Sequence, residues 1–190
     1  MTYPNWFAQT AQHNFDQFLI PMAGEPGLRF LQLGVFTGDA SVWLCENVLT
    51  GPDCVLYDVD TWRGSDEAAH EEIDFKDVKA TYDSKISDFY QVIPTHRDTI
   101  SFFTSKDTGK LFDFIYVDAD HTTAGVLVDA ELSWRKLMPG GILAFDDYTW
   151  SHESGDPRLA PMVGVDLFLH RHLGDYELLA KNDQVWIKKK

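Results

Sequence analysis

Cysteine is scarce in this 190-residue chain. Its two thiols, Cys45 and Cys54, have no further cysteine and no histidine at metal-ligand spacing, which excludes a thiolate metal centre. Both read as small buried apolar residues of a reducing compartment. Positive charge is also sparse: 16 Lys and Arg stand against 30 Asp and Glu, for a formal charge of −14. Binding a phosphate backbone depends on cationic side chains that displace counterions, so this composition argues against a nucleic-acid partner. Long apolar runs are missing as well. Nothing approaches the ~18–20 apolar residues of a membrane span, and the opening MTYPNWFAQTAQHNF lacks both the basic start and the apolar stretch of a secretory leader. No membrane partner and a cytoplasmic location are the resulting expectations.

Aromatic residues are plentiful, with 13 Phe, 7 Tyr and 6 Trp, enough to fill the core of one domain over residues 1–190. The excess of acid has two readings, solubility or carboxylates clustered around a divalent cation. Phe7, Ala11, Phe15, Phe18 and Leu19 fall at helical spacing and Pro21 ends that helix, so residues 1–27 form a helical cap. Buried strands are expected at Leu28–Leu33 and Cys54–Val59, separated by a helix over Asp39–Leu49. Residues 61–90 read as a variable insert of short helices. A strand near Gln91–Pro94 and a short helix around Asp98–Thr104 follow. Phe112–Val117 is a strand, Thr122–Leu137 a helix, MPGG a turn and Ile142–Phe145 a strand. After a polar loop over 147–160, a helix at Met162–His172 precedes Tyr176–Ala180 and Gln184–Ile187, which read as an antiparallel hairpin. The alternation predicts an α/β fold: a Rossmann-like, doubly wound, mostly parallel sheet, with a C-terminal antiparallel hairpin.

Three motifs carry chemistry. In Phe30-Leu31-Gln32-Leu33-Gly34-Val35-Phe36-Thr37-Gly38-Asp39 a strand ends at a glycine, a second glycine follows, and a helix begins. Such a turn lets backbone approach a ligand beside free helix N–H groups. It is neither the GxGxxG of a dinucleotide site nor a P-loop. In Tyr57-Asp58-Val59-Asp60 an acid closes the second strand, where it can accept from a ribose diol; Asp60, which ends the apolar run, is preferred to Asp58. The third motif joins Val117-Asp118-Ala119-Asp120-His121 to Phe145-Asp146-Asp147. Both segments stand at strand ends, where open α/β sheets bind ligands. Asp118, Asp146 and Asp147 converging there would repel unless a cation held them, and hard oxygen ligands suit Mg²⁺, Mn²⁺ or Ca²⁺. His121 on the same rim reads as a general base.

Together these segments resemble class I S-adenosylmethionine-dependent methyltransferases. More narrowly they resemble small metal-dependent O-methyltransferases of the macrocin and catechol kinds, and the methyltransferase type 24 family. The likeness runs from about Leu28 to Lys188 and is most specific in VDADHTTAGVLVDAELSWRKLMPGGILAFDDY, YDVDTWRGS and PMVGVDLFL. It implies a seven-stranded sheet, S-adenosylmethionine as cofactor, and a small hydroxylated acceptor. It also implies Gly34 and Gly38 at the methionine and ribose end, Asp60 on the ribose, and Asp98 or Thr99 at adenine. Asp118, Asp146 and Asp147 match the metal ligands, Asp118 also borders the cofactor, and His121 matches the base. One position departs. The family carries an acid where this chain has Gln32, and that acid helps hold the cofactor's amino group; an amide supplies an acceptor without the charge.

Two other functions compete. Asp118-Ala119-Asp120-His121-Thr122 imitates the DxDxT of haloacid-dehalogenase-like phosphatases, but three strands precede it where that nucleophile belongs on the first. A domain that keeps the fold and the cofactor without transfer is favoured by Gln32 and opposed by the acid cluster with His121. Trp62, Tyr148 and Trp150 stand at strand exits, positions that serve either an acceptor pocket or core cover. The residues leave open whether the chain forms a homodimer.

Overall fold

The computed structural model describes residues 3–64, 73–105, 109–150, 152 and 154–190. Seven strands form one sheet: β1 (Arg29–Leu33), β2 (Val55–Asp60), β3 (Val92–His96), β4 (Phe112–Val117), β5 (Leu137–Phe145), β6 (Tyr176–Lys181) and β7 (Val185–Lys189). Their order is β3-β2-β1-β4-β5-β7-β6. The first five are mutually parallel, while β7 runs antiparallel to both β5 and β6. The expected mostly parallel sheet with a terminal antiparallel pair is therefore what forms.

Each parallel crossover carries a helix, and the helices cover both faces. On one face α1 (Gln12–Phe18) and α2 (Asp39–Asn47) bury Phe15, Leu44 and Cys45 against Phe30, Leu56, Phe114 and Trp186. The other face receives α4 (Thr99–Thr104), α5 (Thr123–Lys136) and α6 (Pro161–Arg171), which close over Leu31, Ile115, Leu143 and Phe145. α5 shows why the local sequence is helical. Its buried Val126, Asp129, Ala130, Ser133 and Trp134 recur every three or four residues, the Thr122 side chain caps Gly125 N–H, and Arg135 and Lys136 close its last turn.

Several local expectations are corrected. The N-terminal helix is split into a wide turn, Phe7–Ala11, then α1, then a 3₁₀ turn, Ile20–Met22. Pro21 sits inside that last turn, at an early position that needs no N–H, instead of ending the helix. Residues 73–90 hold one twelve-residue helix, α3 (Phe75–Ile86), in place of several short ones; the part of the insert over 65–72 lies outside the described residues. MPGG is not a free turn. It is drawn into β5, where Leu137 pairs with Phe112 and, after a register shift, Ile142 pairs with Phe114.

Candidate active site

Strand order reverses between β1 and β4, and ligands of open α/β sheets settle at such a switch point. A cavity of about 950 Å³ opens there, above the carboxyl ends of β1, β2, β4 and β5. Gly34 and Asp118 border it where the two strands end. Gly34 has φ +81°, and a Cβ on it would be driven into the Asp118 carbonyl oxygen, so the turn accepts only glycine. Gly38 also has positive φ, as N-cap of α2, but its contact is different. A Cβ there would meet Tyr82 Cδ2 at 2.8 Å, and the residue seats that ring instead of lining the cavity.

Asp60 holds the β1–α2 loop in place. Its Oδ2 accepts from Val35 N–H (2.8 Å) and Phe36 N–H (3.1 Å), and its Oδ1 from Trp62 N–H (2.6 Å). Trp62 Nε1 in turn donates to the Phe36 carbonyl, which steadies two residues that both have positive φ. Of roughly four acceptor sites on a carboxylate, three are thus committed to backbone.

Beneath this loop lies a buried polar row. Parallel register places Asp58, Gln32 and Tyr116 side by side on β2, β1 and β4. Gln32 Nε2 donates to Asp58 Oδ1 and to Ser41 Oγ, 2.9 Å each, and Tyr82 donates to Asp58 Oδ2 at 2.9 Å. Burial pushes the Asp58 carboxyl up to about 6, although the Ser41, Gln32 and Tyr82 hydrogen bonds pull it down. Tyr82 is raised by its own burial and by the Asp58 charge.

At the β4 and β5 ends, donor atoms of Asp118, His121 and Asp147 all lie within 4.8 Å of one another. His121 Nε2 is 3.1 Å from Asp147 Oδ2 and 3.7 Å from Asp118 Oδ1. The Asp118 carboxyl is held well above the usual carboxylate range, first by its recessed position and then by the charge of Asp146, with His121 opposing. About a third of its side chain, 32%, is nonetheless reachable through the cavity. Asp146 turns elsewhere. It accepts from the Tyr116 hydroxyl, from Gln184 Nε2 (3.0 Å) and from Asp147 N–H (2.9 Å). The structure therefore groups two of the three expected metal carboxylates, Asp118 and Asp147, with His121, and uses Asp146 to orient the segment.

Asp98 and Thr99, which follow β3, also line the cavity. Asp98 caps α4, accepting from Ser101 N–H and hydroxyl (2.8 and 2.7 Å), and those bonds hold its carboxyl below the usual range. Asp129 faces them from α5 and is 4% exposed. Burial raises its carboxyl to about 7, against the Thr99 hydroxyl and with Asp120 and Asp98 adding to the rise. Trp6 and Phe36 (ring centroids 4.7 Å apart) and Trp150 (5.3 Å from the His121 ring) complete the walls. Trp62 also lines the cavity, whereas Tyr148 is core cover whose hydroxyl donates to Asp166. Sequence reasoning missed Trp6, Tyr116, Asp129 and Gln184. Period-two alternation along β4 puts Tyr116 on the face of Phe114, and the helical stripe of α5 contains Asp129, so both were legible in principle. Gln184 reaches Asp146 across 38 residues of chain and gave no local signal.

A doubly wound sheet with this switch-point cavity and an antiparallel β7 inserted beside β5 is the architecture of class I methyltransferases. The model of a methyltransferase-domain family matches residues 31–148, more than half of the chain. The chain belongs to that family and is an S-adenosylmethionine-dependent methyltransferase. Comparison with curated proteins gave no match. Among solved structures it is similar to the O-methyltransferase from Bacillus cereus in complex with S-adenosylhomocysteine (TM-score 0.65, 16% identity, covering 94% of this chain and 80% of that one). It is likewise similar to TomG from Streptomyces achromogenes, an O-methyltransferase of tomaymycin synthesis in complex with S-adenosylmethionine (0.63, 16%, 100% and 91%). The N-methyltransferase NodS from Bradyrhizobium japonicum WM9 is similar to the same degree (0.64, 13%, 97% and 97%). At these identities the likeness is one of fold. Among the described residues no helix is long and apolar enough to cross a membrane.

Proposed function

We propose that the chain transfers a methyl group from S-adenosylmethionine to a hydroxyl oxygen of a small acceptor, with a divalent cation, Mg²⁺ or Mn²⁺, assisting. The observation that carries this reading is His121 Nε2 set between the Asp118 and Asp147 carboxylates on the wall of a cavity sized for small molecules. Bound S-adenosylmethionine supplies a methyl carbon on a sulfonium; the acceptor oxygen bonds to that carbon as the carbon–sulfur bond breaks, and its electrons stay on sulfur. A bound cation supplies a lowered hydroxyl pKa and a fixed orientation. His121 takes the hydroxyl proton, and Asp147 beside it stabilises the imidazolium that forms.

Asp118 and Asp147 are the carboxylates we assign to the cation. Asp146 stays with Tyr116 and Gln184 and steers Asp147 through its N–H. His121 is the base and not a third ligand, because a hard cation prefers oxygen. Toward the cofactor, Gly34 gives close backbone approach, the remaining acceptor site of Asp60 serves a ribose hydroxyl, and Asp98 with Thr99 borders adenine. Trp6, Phe36 and Trp150 exclude water from the reacting oxygen. Arg97 is the one Arg or Lys lining the cavity among the described residues, which favours a neutral acceptor over a polyanion such as nucleic acid.

Calorimetric titration with S-adenosylmethionine, followed by methyl transfer to a panel of hydroxylated acceptors with Mn²⁺ and with excess chelator, tests the reading. Cofactor binding with transfer that chelator abolishes is expected. Transfer undiminished by chelator would remove the cation, and transfer confined to amines would remove the oxygen acceptor.

A further inference from the structure

Gln32 puts a neutral amide near the end of the first strand, where it meets both the cavity and a buried acid. Gln32 is 1% exposed and lines the cavity floor, and both hydrogens of its Nε2 are committed, one to Ser41 Oγ and one to Asp58 Oδ1. An amide pinned in this way cannot flip, so its carbonyl oxygen is the group it has to offer the cavity. Behind it Asp58 is fully buried, on the adjacent strand and in direct register. Ser41, Gln32 and Tyr82 supply its hydrogen bonds, all neutral donors, and it has no arginine or lysine partner among the described residues. A buried carboxylate with only neutral donors keeps its charge at a cost, and that charge projects along the hydrogen-bonded amide into the cavity.

We infer that Asp58 is a positioning residue for the cofactor's methionine end: it locks the Gln32 carbonyl toward the cofactor ammonium and supplies from the second strand the negative charge that Gln32 lacks. Within this register pair the amide stands on β1 and the acid on β2, so the pair carries a single negative charge. The cavity wall is suited to a cation, since Gln32 and Tyr116 line it together with Asp118. The raised proton affinity of Asp58, with its carboxyl near 6, is consistent with a charge that has no cationic partner until one binds. Two carboxylates in this pair would instead face each other across a gap now closed by a 2.9 Å hydrogen bond, which explains why the first strand carries the amide.

This inference rests on S-adenosylmethionine as cofactor, and the test separates the two. S-Adenosylhomocysteine and 5′-deoxy-5′-methylthioadenosine share the adenosine and thioether, but only the first carries the amino-acid group. Their affinities are measured by calorimetry at pH 7.5 for the wild type, Asp58→Asn, Gln32→Glu and the exchanged pair Gln32→Glu/Asp58→Asn. Asp58→Asn should weaken S-adenosylhomocysteine by about tenfold and leave methylthioadenosine within about twofold. Gln32→Glu alone should not tighten S-adenosylhomocysteine, because its carboxylate is set against Asp58. The exchanged pair should return to within about threefold of wild type. A purely structural Asp58 would lower both affinities together, and that result overturns the inference. So does a gain of about tenfold in Gln32→Glu alone, the behaviour of a site simply missing its acid. Should Asp58→Asn fold poorly, the exchanged pair decides: restored preference for S-adenosylhomocysteine upholds the proposal, and lost preference ends it. A wild type that binds neither ligand defeats the cofactor reading itself.

Discussion

Asp129 is the side chain whose replacement should raise the relative stability of this protein progressively as pH climbs from about 4 through neutral. It lies on the buried stripe of α5 and is 4% exposed, and its Oδ2 has no hydrogen-bond partner among the described residues. Burial raises its carboxyl from the ordinary 3.8 to about 7. A carboxyl raised on folding contributes no penalty below pH 4; its favourable contribution is lost progressively as pH rises through 7. At pH 8 the folded state then bears about 4 kcal/mol from this one ionisation, and at pH 5 about 2 kcal/mol. Asp129→Asn keeps the shape and removes the charge. The amide brings its own packing and hydrogen-bond cost, but that cost does not change with pH. Comparing the two proteins at both pH values cancels it, and it also cancels every other titrating group they share. The stability of Asp129→Asn relative to wild type should therefore rise by about 2 kcal/mol from pH 5 to pH 8. Urea unfolding followed by tryptophan fluorescence, without ligand, measures this directly. Parallel pH profiles for the two proteins would show that Asp129 is hydrated or paired in solution, and the reasoning would fail.

His121→Ala should lower the transfer rate by about 10²–10⁴-fold with cofactor affinity retained, measured in single-turnover experiments at saturating acceptor; an unchanged rate would remove it as base. Asp118→Ala should nearly abolish transfer and Mn²⁺ binding, and Asp147→Asn should weaken the metal while keeping residual activity; Mn²⁺ titration by electron paramagnetic resonance separates the two. Retention of full Mn²⁺ affinity in Asp118→Ala would dissolve the proposed centre. Asp60→Ala should weaken S-adenosylhomocysteine by about 1.5–3 kcal/mol and also free two backbone N–H groups of the β1–α2 loop and that of Trp62, visible as faster hydrogen exchange at Val35 and Phe36. Exchange unchanged there would mean that Asp60 does not hold the loop. Gly34→Ala, whose Cβ meets the Asp118 carbonyl at a positive φ, should cost more than about 3 kcal/mol of stability; a loss below 1 kcal/mol on urea unfolding would mean that the β1 and β4 ends separate easily.

The alternation of apolar strands and amphipathic helices is local information, and it was enough to define a parallel α/β sheet, its terminal hairpin and the strand ends where chemistry gathers. Phe112–Val117 was legible to the residue, because a fully apolar face bounded by polar turns leaves no other choice. Gly34, Asp60, Asp118, Asp147 and His121 were legible as cavity residues for a related reason: each stands at the carboxyl end of a strand or within four residues after it. What the local pattern could not carry was direction and partnership. Asp146 and Asp147 are neighbours in sequence, yet only the fold brings Tyr116 and Gln184 to the first and His121 to the second. MPGG reads as a turn by composition, and only the pairing of Leu137 with Phe112 makes it strand. Asp58 ranked below Asp60 because burial, register and the Gln32 amide are invisible along the chain. Residue types and spacing follow from covalent order; which of two adjacent carboxylates meets His121, and which neutral group carries a neighbour's charge, depends on strands and helices that meet only in three dimensions.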